Sequence, residues 1–435
     1  MPNPVPTPSP QASLRALQAM LRARHPLAAL DVFHAETGDA FKINLPGFQP
    51  VFMVGPEAAR FVLVEGRDEL RWRNAADPVV DLLRHGVLVE DGESHDELRK
   101  LMNPSLHRRM LAGYVEAMWG ATDEIISKWA DGAVVDMLVE MRKITLLILT
   151  RTLFAVDFAP ELERLFQPVI DNIRYISPGL WMLWRGVPRL GYRRSLAALD
   201  EYLYRIIAER RRALTGSDVE PADMLGVLIC AGLDDDLIRD QLLTMLIAGH
   251  DTSTALLAWS FYLLGTHPEA CQRVQAEARA LEPGTIPDIT KINNLEYTGW
   301  TIKEALRLYP PIHLGSRLAA ADLHFQDYVI PAGTRVVYSI YLTQRHPDFW
   351  DAPGTFRPER HGTSERQVPY SWLAFGGGPR NCIGGAFGQV EAKLVLAQVF
   401  QRFDLELVEK HVRPHMGATL EPHPGVRMKV RERRS

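Results

Sequence analysis

Residues 234–265, "DDDLIRDQLLTMLIAGHDTSTALLAWSFYLLG", set the strongest limit on what this chain can fold into. Three aspartates suit a helix N-terminus, and the run stops just short of Pro268. A helix of this length spans ~48 Å at ~1.5 Å per residue. Its apolar residues are spread nearly all round, so it must cross the middle of a protein and not lie on its surface. His250, Asp251, Thr252, Ser253 and Thr254 interrupt it at a depth where a lipid-facing span would pay heavily for polar groups. Residues before and after such a helix share one core. A chain of 435 residues would otherwise suggest two or three domains, but here one large domain is expected over 13–435, preceded by a flexible Pro-rich lead over 1–12.

Helical patterns dominate from about residue 98 to 308, and strand-like runs sit toward the two ends. "AFKINLPGFQPVFMVG" reads as two short strands around a Pro-Gly turn, and "LHFQDYVIPAGTRVVYSIYL" as a meander broken at residues 331–333. The fold class is therefore mainly α with a small β-sheet region and a long central helix.

With a net charge of -4 and no basic stripe, nucleic-acid binding is not expected. Cys230, Cys271 and Cys382 are spaced for neither a disulfide framework nor a paired zinc motif, which fits a reducing cytoplasm. The start "MPNPVPTPSP" lacks the basic and apolar runs of a signal peptide or anchor.

Cys382 lies in "FGGGPRNCIGG", among five glycines that let the backbone approach something flat and large. A helical pattern follows, so the helix dipole is expected to favour thiolate, the form a metal needs. A cysteine serving only as a small buried hydrophobe has no use for a glycine cage and a flanking arginine. A nucleophilic cysteine would want a histidine base, which spacing alone neither supplies nor excludes, whereas a single thiolate ligand to haem iron uses both cage and cation.

Here the chain resembles the cytochrome P450 superfamily of haem-thiolate monooxygenases, whose haem signature is met at Phe375, Gly378, Arg380, Cys382 and Gly384. The resemblance implies the cytochrome P450 fold and haem b as cofactor. It makes Cys382 the proximal iron ligand, Phe375 a neighbour of the sulfur, and Arg380 a partner of a haem propionate. "KEALRLYPP" places Glu304 and Arg307 on one helix face. The later "FRPERH" resembles the segment that supplies a third member, Arg360, to a buried Glu-Arg-Arg network. His361 stands where the family often has Phe, and Gly388 where it usually has Ala.

In "AGHDTST", Asp251 and Thr252 resemble the acid and alcohol pair that delivers protons on the open side of the iron, with Ala248 beside the haem and Gly249 leaving room for dioxygen. The bland alternative is a kink with hydroxyls bonded back to backbone carbonyls. His95 and Arg99, four apart in "DGESHDELRKL", and Arg317 in "LGSRLA" resemble further propionate partners.

The implied activity is insertion of one oxygen atom from dioxygen into a lipophilic molecule: a fatty acid, terpenoid, carotenoid or steroid. No dinucleotide fingerprint is seen, so electrons are expected from a ferredoxin or flavodoxin fed by its reductase. Arg99, Lys100, Arg108, Arg109 and Lys393 are candidates to steer that donor. The substrate lining is expected from residues 72–88, 180–187, Ala248, 312–314, Ala418 and Thr419. The apolar run 180–184, with arginines around it, also suits a lid in peripheral contact with a membrane. Two other classes stay open: a haem-thiolate isomerase, dehydratase or peroxygenase, which has no need of Asp251 and Thr252, and a non-catalytic haem sensor.

Overall fold

The computed structural model describes residues 3–72, 74, 77–178, 191–216, 221, 223–363, 367–409 and 411–433. The run 180–184, part of the expected substrate lining, lies outside them.

The central helix is Asp235–Thr266. Asp234 caps it, its carboxylate accepting the Leu237 N–H at 2.7 Å, and Pro268 begins the next helix, Pro268–Arg279. The helix is buried on nearly every side, with Met137–Leu149, Tyr192–Leu214, Glu296–Leu308 and Gly385–Arg402 packed around it. A single cluster of buried apolar side chains takes members from Val80 to Val430, on both sides of the helix in sequence. Its approach to Met137–Leu149 is close. Thr145 Oγ1 and Thr254 Oγ1 share a 2.9 Å hydrogen bond across the gap, and a Cβ at Gly249 would sit 2.6 Å from Leu149 Cδ1.

The largest sheet has the order Ala40–Lys42, Val51–Met53, Arg335–Ser339, Leu314–Ala319, Leu70–Arg71. The first two strands pair antiparallel, Phe41 opposite Phe52, with a Leu45–Phe48 bridge closing the Pro-Gly turn between them. The expected meander is divided between two sheets: Leu323–Phe325 and Tyr328–Ile330 form a hairpin, while Arg335–Ser339 joins the largest sheet between Val51–Met53 and Leu314–Ala319, and the strand run stops one element earlier than its β-branched composition suggests. Ser339 accepts the Leu342 N–H at 3.2 Å and turns Ile340–Thr343 into a short helix. Near the C-terminus, Arg427–Glu432 pairs antiparallel with Phe403–Leu407 on one side and Val134–Asp136 on the other, and Arg413–Met416 pairs with Leu420–His423.

The Pro-rich lead differs from the flexible segment expected. Asn3–Pro4 pairs in parallel with Tyr328–Val329, Val5 is buried, and the first helix, Pro10–Ala23, starts within the lead. The reason is local: Ser9 accepts the Ala12 N–H at 3.1 Å and Pro10 occupies the first helical turn. Among the described residues no helix is long and apolar enough to cross a membrane.

Candidate functional site

The loop that carries Cys382 is fixed by backbone. Gly376 and Gly378 have φ of +68° and +63°, a region closed to most side chains. A Cβ at Gly378 would also lie 2.4 Å from the Leu63 carbonyl oxygen, which cannot step aside. The Cys382 N–H donates to Phe375 O at 2.8 Å, and the Phe375 ring covers Gly385, the first residue of the helix Gly385–Arg402. Cys382 is exposed as a residue, while its sulfur is surrounded closely enough to be desolvated. Desolvation pushes its thiol up, outweighing the Gly384 backbone hydrogen bond and the Arg99 charge that lower it. This is opposite to the direction expected from the helix dipole alone, because the protein packed around the sulfur outweighs the dipole. A cation bound directly to sulfur reverses that balance.

Four cationic side chains were expected to meet the propionates. Arg380 is half-buried, held by Asp91 Oδ1 at 2.7 Å and by the Glu90 carbonyl. Burial pulls its pKa down to about 10; Arg317 and Arg67 add to this and Asp91 opposes it. Arg317 is buried, donates to Ser316 O at 2.8 Å, and lies 5.5 Å from the centre of the Trp72 ring. His95 is buried against Asp96, Nδ1 to Oδ1 2.8 Å, with its pKa lowered by burial and by the nearby Arg380 and Arg99. Arg380, Arg317 and His95 thus gather where each raises the cost of the next, a site suited to anions. Arg99 differs: it donates to Asn381 Oδ1 at 2.5 Å, bracing the cysteine loop itself.

On the central helix, residues 238–261 are all buried except Ala248, Gly249 and Thr252. These three share one face and form a window in an otherwise closed helix. The window adjoins the cysteine helix: Ser253 donates to Glu391 Oε2 at 2.5 Å, and a Cβ at Gly388 would lie 3.8 Å from Ser253 Oγ. Thr252 Oγ1 donates to Ala248 O at 2.6 Å, the back-bonded geometry of the bland alternative. Asp251 does not join it. Its carboxylate turns away, accepting the Thr419 hydroxyl at 2.7 Å and facing Arg142 at 3.6 Å. Gly249 is required by the packing of Leu149, a reason distinct from room for dioxygen.

Glu304, Arg307 and Arg360 come together as expected. Glu304 and Arg307 are fully buried, linked by two hydrogen bonds of 2.9 and 2.8 Å, and Arg360 Nε reaches Glu304 Oε1 at 3.0 Å. His361, at a position where only packing was in question, donates from Nε2 to Glu304 Oε2 at 3.0 Å and is a fourth member. Burial alone would raise the Glu304 pKa, but Arg307, His361 and Arg360 hold it down to about 2. Arg307 also donates to Gln344 O at 2.9 Å and Pro353 O at 2.7 Å. The Gln344 amide in turn donates to Leu306 O at 2.9 Å and accepts the Leu373 N–H at 2.7 Å, on the way into the cysteine loop.

Several contributors carry no local signal in the sequence. Glu391 is buried beside Ser253, and desolvation pushes its carboxyl up to about 8. Arg142 and Glu421 reach Asp251 from a distant helix and strand. Of the proposed donor-steering residues, Lys393 is spent on Asn293 O at 2.8 Å, whereas Arg99 and Lys100 line a shallow surface hollow with Arg67, Asn103 and Pro379.

A haem bound here needs a thiolate ligand, backbone that allows a flat macrocycle close by, and cations for its carboxylates. Cys382, the positive-φ glycines and the Arg380–Arg317 pair fit these needs, and His95, its pKa lowered, adds a ring N–H donor beside them.

Comparison with known proteins agrees. The chain is 32% identical over 91% of its length to cyclooctat-9-en-7-ol 5-monooxygenase of Streptomyces melanosporofaciens, covering 87% of that protein. It is 30% identical over 94% of its length to pentalenene oxygenase of Streptomyces avermitilis, covering 92%. The fold superposes on retinoic acid-bound cyanobacterial CYP120A1 with a TM-score of 0.85, at 25% identity and full coverage of both chains. The sequence profile described as Cytochrome P450 matches residues 6–429, and with the cysteine loop and the buried Glu304 network in place the chain belongs to the cytochrome P450 family.

Proposed function

We propose that this protein is a haem-thiolate monooxygenase that hydroxylates or epoxidises a terpenoid, drawing electrons from a separate ferredoxin or flavodoxin and its reductase. The observation that carries the reading is Cys382 on its glycine loop, heading the helix Gly385–Arg402 that meets the central helix through Ser253 and Glu391, beside the window at Ala248, Gly249 and Thr252. The substrate class follows from the two Streptomyces relatives, whose names specify terpenoid oxidations. Ligated by thiolate, the haem supplies oxygen activation and O–O cleavage.

The chain's own residues have separable tasks. With haem bound, Cys382 would ligate iron; Arg380 and Arg317 would neutralise the propionates and His95 would offer them a hydrogen bond; Thr252 Oγ1 would hold a proton at the window, and Asp251 would supply it. Residues 13–435 act as a single haem domain in the cytoplasm.

The deciding test is the spectrum of the reduced protein under carbon monoxide. Wild type is expected to show the red-shifted Soret band of thiolate-ligated haem and Cys382→Ser to lose it; a wild-type band at the position of histidine ligation would sink the assignment. Terpenoids, fatty acids and steroids titrated into the oxidised protein should then differ in the spectral change that follows loss of iron-bound water, with terpenoids binding tightest.

A further inference from the structure

Asp251 is placed deep in the core, its side chain 2% exposed. One carboxylate oxygen, Oδ2, accepts the Thr419 hydroxyl at 2.7 Å. The other, Oδ1, finds no hydrogen-bond partner among the described residues, although Arg142 Nη2 stands 3.6 Å away. The same Nη2 is hydrogen-bonded to Glu421 Oε1, so one guanidinium nitrogen bridges the two carboxylates, and the negative charge of Glu421 is felt at Asp251. Glu421 keeps 16% of its side-chain surface in contact with solvent. The site therefore holds two carboxylates around one guanidinium. With both ionised it carries an uncompensated negative charge in the core; with one proton shared it is neutral.

We propose that Glu421 is the solvent-side half of a two-carboxylate proton relay, taking up a proton and passing it to Asp251 Oδ1, while Arg142 positions both acids. The transfer leaves Glu421 ionised and ready to reload from water, with no change in oxidation state. This rests on the reading of Asp251 as a proton donor for the oxygen chemistry.

The groups facing Asp251 are Arg142 from the helix Met137–Leu149, Thr419 just before the strand Leu420–His423, Glu421 within that strand, and His250 on its own helix. His250 is kept neutral, burial and Arg142 lowering its pKa to about 3, with Nε2 donating to Arg142 O at 3.1 Å. Burial and then the Glu421 charge raise the Asp251 pKa well above the ordinary carboxylate range, against Arg142 and Thr419, which favours the protonated acid.

The test is infrared titration of the holoenzyme carrying 13C-labelled aspartate, with Asp251→Asn identifying the protonated-carboxyl band. Wild type is expected to titrate near neutral pH. Glu421→Gln removes the neighbouring negative charge and should lower the midpoint by ~1 unit or more, whereas Arg142→Gln and Thr419→Val should raise it. A midpoint unmoved in Glu421→Gln overturns the pairing. The relay itself is read from dioxygen consumption driven by a ferredoxin and reductase in H2O and D2O. Glu421→Gln should slow it several-fold and enlarge the solvent isotope effect, and a wild-type rate and isotope effect in that variant overturn the relay even if the midpoint has moved. Wild-type behaviour of Asp251→Asn in the same assay would instead show that the reading of Asp251 had failed, a separate outcome because the infrared midpoints stand without it.

Discussion

Single side chains at this site are governed by what burial does to charge. Glu304 stays ionised in the core because Arg307, Arg360 and His361 surround it. Glu304→Gln is expected to cost about 3–5 kcal/mol, since it leaves Arg307 buried without its counter-charge; denaturant unfolding measures this directly. Glu391 is the opposite case. Its folded pKa, about 8, lies above the ordinary 4.5, so between those values the unfolded chain releases a proton that the folded one keeps. Stability therefore falls as pH rises through that interval and levels off above it. Glu391→Gln removes the slope, and thermal melts at pH 5 and pH 8 should show the variant gaining on wild type at the higher pH. The Glu304 cluster was legible in sequence because Arg307 is three residues away and "FRPERH" has a recognisable pattern. The Ser253–Glu391 and Arg142–Glu421 contacts were not, since they join residues 138 and 279 apart with no local spacing to betray them. His361 was seen but read for its bulk, and its ring nitrogen proved to be the point.

At the level of helices and strands, periodicity carried the reading where an element is long. The central helix lies within one residue of its expected span because an aspartate cap and a proline bracket it. Short strands in the last part of the chain, such as Arg413–Met416 and Leu420–His423, exist only by virtue of each other, so a single segment showed no sign of them. The lead was misjudged for the same reason: Asn3–Pro4 finds its partner at Tyr328–Val329, more than three hundred residues on. Gly388 gives a clean prediction. Its φ is unexceptional, and an added Cβ would meet Ser253 Oγ at an ordinary 3.8 Å. Gly388→Ala should raise stability by ~1 kcal/mol and leave the carbon monoxide spectrum as it is. Calorimetry and that spectrum check the two halves.

Across the molecule, a segment within the expected substrate lining is fastened to the central helix. Arg239 donates to Leu82 O at 3.1 Å, Asp240 accepts the His85 N–H at 3.1 Å, and Gln241 accepts the Val87 N–H at 2.8 Å. Consecutive residues of the central helix thus hold down 82–87, within the expected substrate lining. Gly86 permits the fit, because a Cβ there would lie 1.9 Å from Thr244 Oγ1 and 3.1 Å from Asp240 O. Gly86→Ala is expected to lift this segment, costing about 1–3 kcal/mol and speeding hydrogen exchange at the 85 and 87 amides. Gln344 makes a second fastening, from Leu306 on one side to Leu373 on the other. The height at which the sulfur stands is thereby referred to a remote benchmark, the helix Glu296–Leu308, and not set by the loop alone. Warming that loosens the Glu304 cluster is consequently expected to change the visible spectrum of the haem-loaded protein, through Cys382, before the far-ultraviolet signal of the surrounding helices falls.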